Sequence, residues 1–481
     1  MTGPAVPPHT KRTGNADRAA ATKRRVAAAI AAAAAAASFK PDESYEASPG
    51  VTEALSAIDA GTPAVLIVGR AGTGKTRLVQ YLKARPCGEL QATVAPTGIA
   101  ALNARAQTIH SFFHLEHAVL DAGNLSRGGR FSAIYRRMKR LVIDEISMVR
   151  ADAVDAIDAR LRQLRGDDRR FGGVQIVMVG DFLQLPPVVS EHDWPFLLGL
   201  GYEAPYAFNA HALEGMAVKA VTLDHVWRQD EQDFVEILGR IRSRDGIADA
   251  LEGLNARCVG PHRDGVKPLL LTPTRAAAER HNRNGLLALG GERAAFKAEI
   301  EGDFAIGVAN LPAPELFELA AGARVMAVKN DPQGRWVNGS LGTVTRLAEE
   351  GAFVTFDRRR EEHLVVPMIW EKVRQQWSEA RARIENEVIG TYRQLPLIHA
   401  WAVTIHKAQG LTLDDVRVDL GAGAFAPGQV YVALSRVKSP AGLSFARPLR
   451  AADVRVDPTL LDFMERVQAG RRAGDSHAQR A

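Results

Sequence analysis

Residues 69–76 read GRAGTGKT, with Gly69, Gly74, Lys75 and Thr76 at the spacing G-x-x-x-x-G-K-[ST]. Glycines there let the backbone turn its N–H groups inward onto phosphate oxygens, and a helix starting at the lysine adds its positive end to the same anion. The cradle so defined is Gly69, Ala71, Gly72, Thr73, Gly74, Lys75, Thr76 and Arg77, with Lys75 reaching the β- and γ-phosphates and Thr76 holding Mg²⁺. Asp144 and Glu145 close the run RLVIDEISMV (140–149). A carboxylate pair at a strand tip suits Mg²⁺-nucleotide chemistry, Asp144 holding the ion through its water shell and Glu145 orienting or deprotonating the attacking water. Gln184, just past Asp181 in VQIVMVGDFLQLPPV (174–188), can donate a hydrogen bond to the γ-phosphate and report its presence. Together these side chains spell hydrolysis of a nucleoside triphosphate.

The elements that must hold them are equally readable. Val65–Val68 is an apolar run of strand type, buried on both faces, and Leu78, Tyr81 and Leu82 give 77–84 helical spacing, so the strand–loop–helix context of the motif is present. Val51, Leu55 and Ile58 form a helix that Gly61 and Pro63 stop before that strand. Runs 140–149 and 174–188 supply further buried strands, and polar groups collected at such tips are where open parallel sheets bind ligands. Between the phosphate loop and run 140–149, ATVAPTGIAALNA (92–104) and TIHSFF (108–113) read as a strand, a turn and small helices that, in a chain with a phosphate loop, turn residues Pro96, Thr97, Thr108, His110, Ser111 and Phe112 toward a nucleic-acid phosphate. Taken alone, the same stretch reads as an ordinary βα unit with two core phenylalanines.

The chain's 481 residues exceed what one core supports, and the net charge of +6 has the sign of a nucleic-acid binder. Cys87 and Cys258 stand far apart without a C-x-x-C, too few thiolates for a zinc or iron–sulfur site and in keeping with a reducing compartment. Lys23–Ser38 mimics a signal peptide, but alanine is weakly apolar and the best helix former, so 1–48 reads as a solvated, disordered arm. No stretch spans a membrane, and a cytoplasmic protein, in a bacterial-type cytosol or nucleoid, is expected.

The order GRAGTGKT, APTGIAA, TIHSFF, IDEISMV, GDFLQLPPV resembles a superfamily 1 helicase of the Pif and RecD-like type, and HVWRQDEQDF (225–234), LTPTRAAAERHN (271–282), ARVMAVKNDPQGRWVNGSLGTV (323–344), AWAVTIHKAQGLTLDDVRVDL (400–420) and VYVALSRVKSPAGL (430–443) continue it. The resemblance covers about residues 50–445. It implies an α/β fold with two RecA-like nucleotide-binding domains, a small wedge insertion in the first and an SH3-like β insertion in the second. The boundaries that follow are 1–48 (arm), 49–224 (first domain, wedge at 114–139), 225–450 (second domain, β and helical insertion at about 310–392) and 451–481 (C-terminal helix and tail). Within the insertion 369–390 reads as a charged helix, and NGSLG (338–342) as a hairpin turn. The resemblance also implies that Arg228 and Arg436 act as arginine fingers, and that Thr404, His406, Lys407 and Gln409 touch the nucleic-acid backbone.

The expected protein is therefore a monomeric ATP-dependent DNA helicase using ATP and Mg²⁺, moving 5′ to 3′ on single-stranded DNA and opening tailed duplexes. An RNA translocase and a non-motor nucleotide switch are the alternatives; a GTPase would carry N-K-x-D, which is absent, and a switch would need neither Arg228, Arg436 nor a second α/β domain. One departure stands out. The family places a Gln on the helix before the phosphate loop to read adenine, and VTEALSAIDAG (51–61) has none, which predicts looser base selectivity.

Overall fold

The computed structural model describes residues 43–85, 90–115, 119–124, 133–304, 311–357 and 359–478. The N-terminal arm to residue 42 and residues 116–118 and 125–132 of the expected wedge lie outside the described residues.

The first half of the chain builds β1 (Ala64–Gly69), β2 (Gln91–Ala95), β3 (Gln107–Thr108), β4 (Arg140–Ile143), β5 (Gln175–Gly180) and β6 (Val218–Leu223), joined in the order β3-β2-β4-β5-β1-β6. Every pairing in this sheet is parallel. Strands of that kind need cover on both faces, and β1 and β2 are buried along their whole length. The phosphate loop and the Asp144–Glu145 turn leave the same ends of β1 and β4, parallel strands with only β5 between them, so parallel topology brings the two motifs to one edge of the sheet.

The second half opens with β7 (Leu269–Thr272), then inserts β8 (Arg293–Lys297), β9 (Glu299–Gly302), β10 (Leu316–Ala320), β11 (Arg324–Ala327), β12 (Leu341–Ala348), β13 (Gly351–Phe356), β14 (Glu362–Val365), β15 (Met368–Ser378), β16 (Arg383–Gln394) and β17 (Leu397–His399). It returns with β18 (Ala402–Thr404), β19 (Val416–Val418) and β20 (Leu443–Phe445), which complete a second parallel sheet in the order β18-β7-β19-β20. The insertion contains a five-stranded antiparallel sheet, β14-β13-β12-β11-β17, whose apolar side includes Val325, Trp336, Val354 and Phe356. That sheet stands where the SH3-like unit was expected, with Asn338, Gly339 and Ser340 of NGSLG in the connection from β11 and its Leu341 and Gly342 opening β12.

The charged helix expected at 369–390 is instead the long hairpin of β15 and β16. Its Glu, Arg and Gln content favours helix, yet Val373 and Gln375 are buried while Arg374 and Gln376 are exposed, a period of two. Cross-strand pairs such as Arg374 with Glu387 keep the outer charges complementary. The hairpin reaches the first domain. Gln375 accepts from the Thr93 N–H at 3.0 Å and donates to the Thr93 carbonyl at 2.7 Å, so one side chain stands in for the strand that short β3 fails to provide beside β2. Arg137, in the described part of the wedge stretch, lies 4.8 Å over Trp377 and pairs with Glu379 at 3.2 Å. The C-terminal helix, Pro458–Ala478, returns to the first domain, where Phe463 stacks on Phe208 at 3.8 Å.

Candidate nucleotide site and nucleic-acid channel

The phosphate loop carries its strain where the chemistry needs it. Gly72 and Gly74 have φ of 83° and 87°, and a Cβ at Gly72 would lie 2.6 Å from the Arg228 side chain, so the loop is both left-handed and pressed from the second domain. The Trp227 N–H donates to the Gly72 carbonyl at 2.8 Å, and the Ala71 N–H donates to the Tyr431 hydroxyl at 2.9 Å. Lys75 folds back to donate to the carbonyls of Gly69 and Arg70 at 2.8 and 2.9 Å. Burial lowers its pKa, while Asp181 and Glu145 favour the charged form.

Asp144 is buried, and its carboxylate accepts from the Glu145 N–H at 2.9 Å. Burial raises its pKa against the pull of Lys75 and Lys83. Glu145 holds φ 52°, a left-handed conformation rare outside glycine, and burial followed by the neighbouring Asp144 charge pushes its carboxyl up to about 7. Gln184 is buried, and its amide donates to Asp181 Oδ2 at 3.0 Å.

The two expected fingers come from the other side of the cleft. Arg228 donates to the carbonyls of Ser435 at 3.1 Å and Gly410 at 3.3 Å. Arg436, 1% exposed, donates to the Val432 carbonyl at 2.7 Å and the Ser435 hydroxyl at 2.7 Å, with longer bonds to Ala408 and Leu411. Burial, helped by Arg228, brings its pKa down to about 9.

A cavity of about 2540 Å³ runs from Thr76, Asp144 and Glu145 to Thr97, Thr404, His406, Lys407 and Gln409. Small-molecule sites occupy roughly 300–1,000 Å³, so this is a channel of polymer size. Thr97 caps the Gly98–Asn103 helix, accepting from the Ala100 N–H at 3.2 Å, and Thr404 accepts from the Lys407 N–H at 3.2 Å, which fixes the turn past β18. Asn282 secures that strand through paired hydrogen bonds to Ala402 at 2.8 and 2.9 Å. His406 lies nearly parallel to Phe425 at 6.4 Å, and burial lowers its pKa, favouring neutral imidazole. Gln409 donates to Glu145 Oε2 at 3.4 Å, so it lines the channel and touches the carboxylate pair at once.

Pro96, Thr108, His110, Ser111 and Phe112 do not line that cavity. Phe112 is 3% exposed and packs against Phe113 at 4.8 Å and Tyr135 at 5.5 Å, a core residue in place of the nucleic-acid contact expected for it. Thr108 accepts from the Ser111 N–H at 3.2 Å and so caps the short Ile109–Phe113 helix. Sequence reasoning missed Arg105, Arg275 and Lys329 on the channel wall, and Trp370, which carries the Lys329 ammonium 5.2 Å above its ring. Burial brings Lys329 down to about 8. Basic residues scattered over elements this distant in sequence leave no local pattern. Arg242 was missed as well; it bonds Asp181 across the cleft at 2.7 Å.

The chain is similar to known proteins over most of its length. The family described as PIF1-like helicase matches residues 50–243. The ATP-dependent DNA helicase Pif1 of Bdellovibrio bacteriovorus is 31% identical over 439 residues, covering 89% of this chain and 94% of that protein. The mouse ATP-dependent DNA helicase PIF1 is 33% identical over 420 residues, covering 85% of this chain and 61% of the longer mouse protein. In structure, Bacteroides sp Pif1 in complex with ADP-AlF4 aligns with a TM-score of 0.80 at 31% identity, over 88% of this chain and 97% of that one. Its single-stranded-DNA-bound form aligns with a TM-score of 0.64 over the same shares. Matched by the family model over residues 50–243 and 31% identical to the Bdellovibrio protein over 94% of that protein's length, the chain belongs to the PIF1-like helicase family.

Proposed function

We propose that this protein is an ATP-dependent DNA helicase that moves 5′ to 3′ on single-stranded DNA and opens duplexes carrying a 5′ tail. The observation that carries the reading is the continuous cavity joining Thr76, Asp144 and Glu145 to the cationic wall of Arg105, Arg275, Lys329 and Lys407, with Gln409 belonging to both. Direction follows from membership of the family, and the DNA partner is supported by the single-stranded-DNA complex of the Bacteroides relative.

Lys75 and the loop amides bind the triphosphate, and Glu145 takes a proton from, or orients, the attacking water. Thr76 and Asp144 fit Mg²⁺: a hydroxyl and a buried carboxylate whose charge is only partly offset by neighbours are the hard oxygen donors that ion takes. Bound there, Mg²⁺ would neutralise charge on the transferring phosphoryl group. Arg228 and Arg436 supply positive charge from the second domain, where it counts most in the transition state. Closing and opening the cleft alternates the grip of the two domains on the strand. Melting one base-pair step costs roughly 1.4 kcal/mol, within the ordinary range of coupling between two sites. Behind the phosphate loop the buried Tyr45 donates to the Gly74 carbonyl at 2.8 Å and lies beneath the Arg77 guanidinium at 4.5 Å, with Trp227 at 6.0 Å, which braces the loop.

Strand displacement on duplexes with a 5′ or a 3′ tail, with DNA and RNA loading strands, tests the reading. ATP-dependent opening from the 5′ DNA tail is expected; opening from the 3′ tail alone, or from RNA alone, would overturn it.

A further inference from the structure

Arg242 takes no part in the assignments above, yet it sits in the cleft. It belongs to the Gln232–Ser243 helix of the second domain, and its Nη2 and Nε lie 2.7 and 3.3 Å from Asp181 Oδ1, at the end of a first-domain strand. The two side chains are 9% and 1% exposed. The other carboxylate oxygen, Oδ2, accepts from Gln184 Nε2 at 3.0 Å, and Oδ1 also accepts from the Leu183 N–H at 3.3 Å. Burial pushes the Asp181 carboxyl up, but Arg242 and Lys75 outweigh it and hold the group below the usual carboxylate range. Second-domain backbone crowds the same turn: a Cβ at Gly428 would lie 2.2 Å from the Gln184 carbonyl oxygen. The Arg242 helix also leans on the phosphate loop, where a Cβ at Gly239 would lie 3.2 Å from Arg70 Nη1.

We propose that Arg242 is a positioning residue: from the second domain it fixes Asp181, and Asp181 fixes the amide of Gln184, so that the γ-phosphate sensor is aligned only while the cleft is closed. This rests on the helicase reading of the nucleotide site. Because one amide hydrogen of Gln184 is committed to Asp181, the side chain has one N–H left to offer the γ-phosphate and a fixed direction in which to offer it. Opening the cleft withdraws Arg242, frees the carboxylate to rotate and lets the sensor drift. Domain position and phosphate sensing then become one event.

The test is steady-state ATP hydrolysis with saturating oligo(dT), comparing Arg242→Gln, Arg242→Lys, Gln184→Ala and the double variant Arg242→Gln/Gln184→Ala. Arg242→Gln should lower kcat about tenfold or more with KM changed less than about threefold, since an orientation needed in the transition state is lost. Arg242→Lys should recover part of that loss. The double variant should be no slower than Gln184→Ala alone, because residues acting through one contact are not additive. Stripping one partner from a buried ion pair can unfold a protein, whereas an apolar pair of similar volume is often tolerated, so Arg242→Met/Asp181→Leu is made beside them. It should melt near the wild type, lose turnover, and lose no more when Gln184→Ala is added. Multiplying effects, or wild-type kcat in a folded variant lacking Arg242, would overturn the proposal. Wild-type protein without oligo(dT)-stimulated hydrolysis, or Lys75→Ala retaining it, would instead sink the helicase reading itself.

Discussion

On the first-domain face of the nucleotide cleft, Lys75 answers to loop carbonyls within the electrostatic reach of the Asp181 and Glu145 carboxylates, and the loop is held left-handed at Gly72 and Gly74. On the second-domain face, Arg228 and Arg436 spend their hydrogen bonds on carbonyls of Gly410, Val432 and Ser435 in their own domain. The glycine bend of the first face is in place, but Lys75 rests on carbonyls of its own loop and must swing only a short way to meet phosphate, whereas the second-domain cations must be drawn across the cleft. Binding and turnover should therefore separate when the two faces are mutated in turn.

The sharpest break is Lys75→Ala. Nucleotide hydrolysis should fall at least about 10³-fold, because the loop's cation acts in both binding and the transition state, and single-stranded DNA binding should survive. Filter binding of a labelled oligonucleotide beside the ATPase assay checks both halves. Arg228→Ala should cost roughly 10³-fold in kcat with nucleotide affinity little changed, the range seen for arginine fingers in related phosphate-loop enzymes. A fluorescent-nucleotide titration giving weaker binding at normal turnover would return Arg228 to a ground-state role. Arg436→Ala should lose turnover to a similar degree and lower the thermal midpoint besides, since its buried guanidinium braces the carbonyls of Val432, Ala408 and Leu411.

How far the site was legible follows the same division. The first face lies in three runs, each a buried strand ending in polar residues, and a strand period plus a fixed spacing suffices to find it. The second face is assembled by tertiary packing. Arg242 lies within an unremarkable amphipathic helix, and nothing in GRIRSRD marks the arginine that meets Asp181. The β15–β16 hairpin was misread because helix-forming side chains outnumber β-branched ones there, and pairing with β2 through Gln375 overrides propensity. Phe112 was ambiguous for a related reason: motif order assigns it to nucleic acid, whereas only the fold reveals Tyr135 and Phe113 around it.

Smaller effects sharpen the picture. Phe112→Ala should destabilise by about 3–5 kcal/mol, the cost of a core phenylalanine, as read from a denaturant titration. Gln375→Ala leaves the Thr93 N–H and carbonyl without their partner, so a loss of about 1–3 kcal/mol is expected in the same titration.

The central claim is that ATP chemistry and strand binding share one wall, with Gln409 spanning Glu145 and the channel. Single-turnover ATP hydrolysis with and without oligo(dT), in the wild type and in Gln409→Ala, tests it most directly. Stimulation of about tenfold or more in the wild type, largely lost in Gln409→Ala while oligo(dT) still binds, is the predicted result. Equal rates with and without the oligonucleotide in the wild type, or full stimulation in the variant, would contradict it.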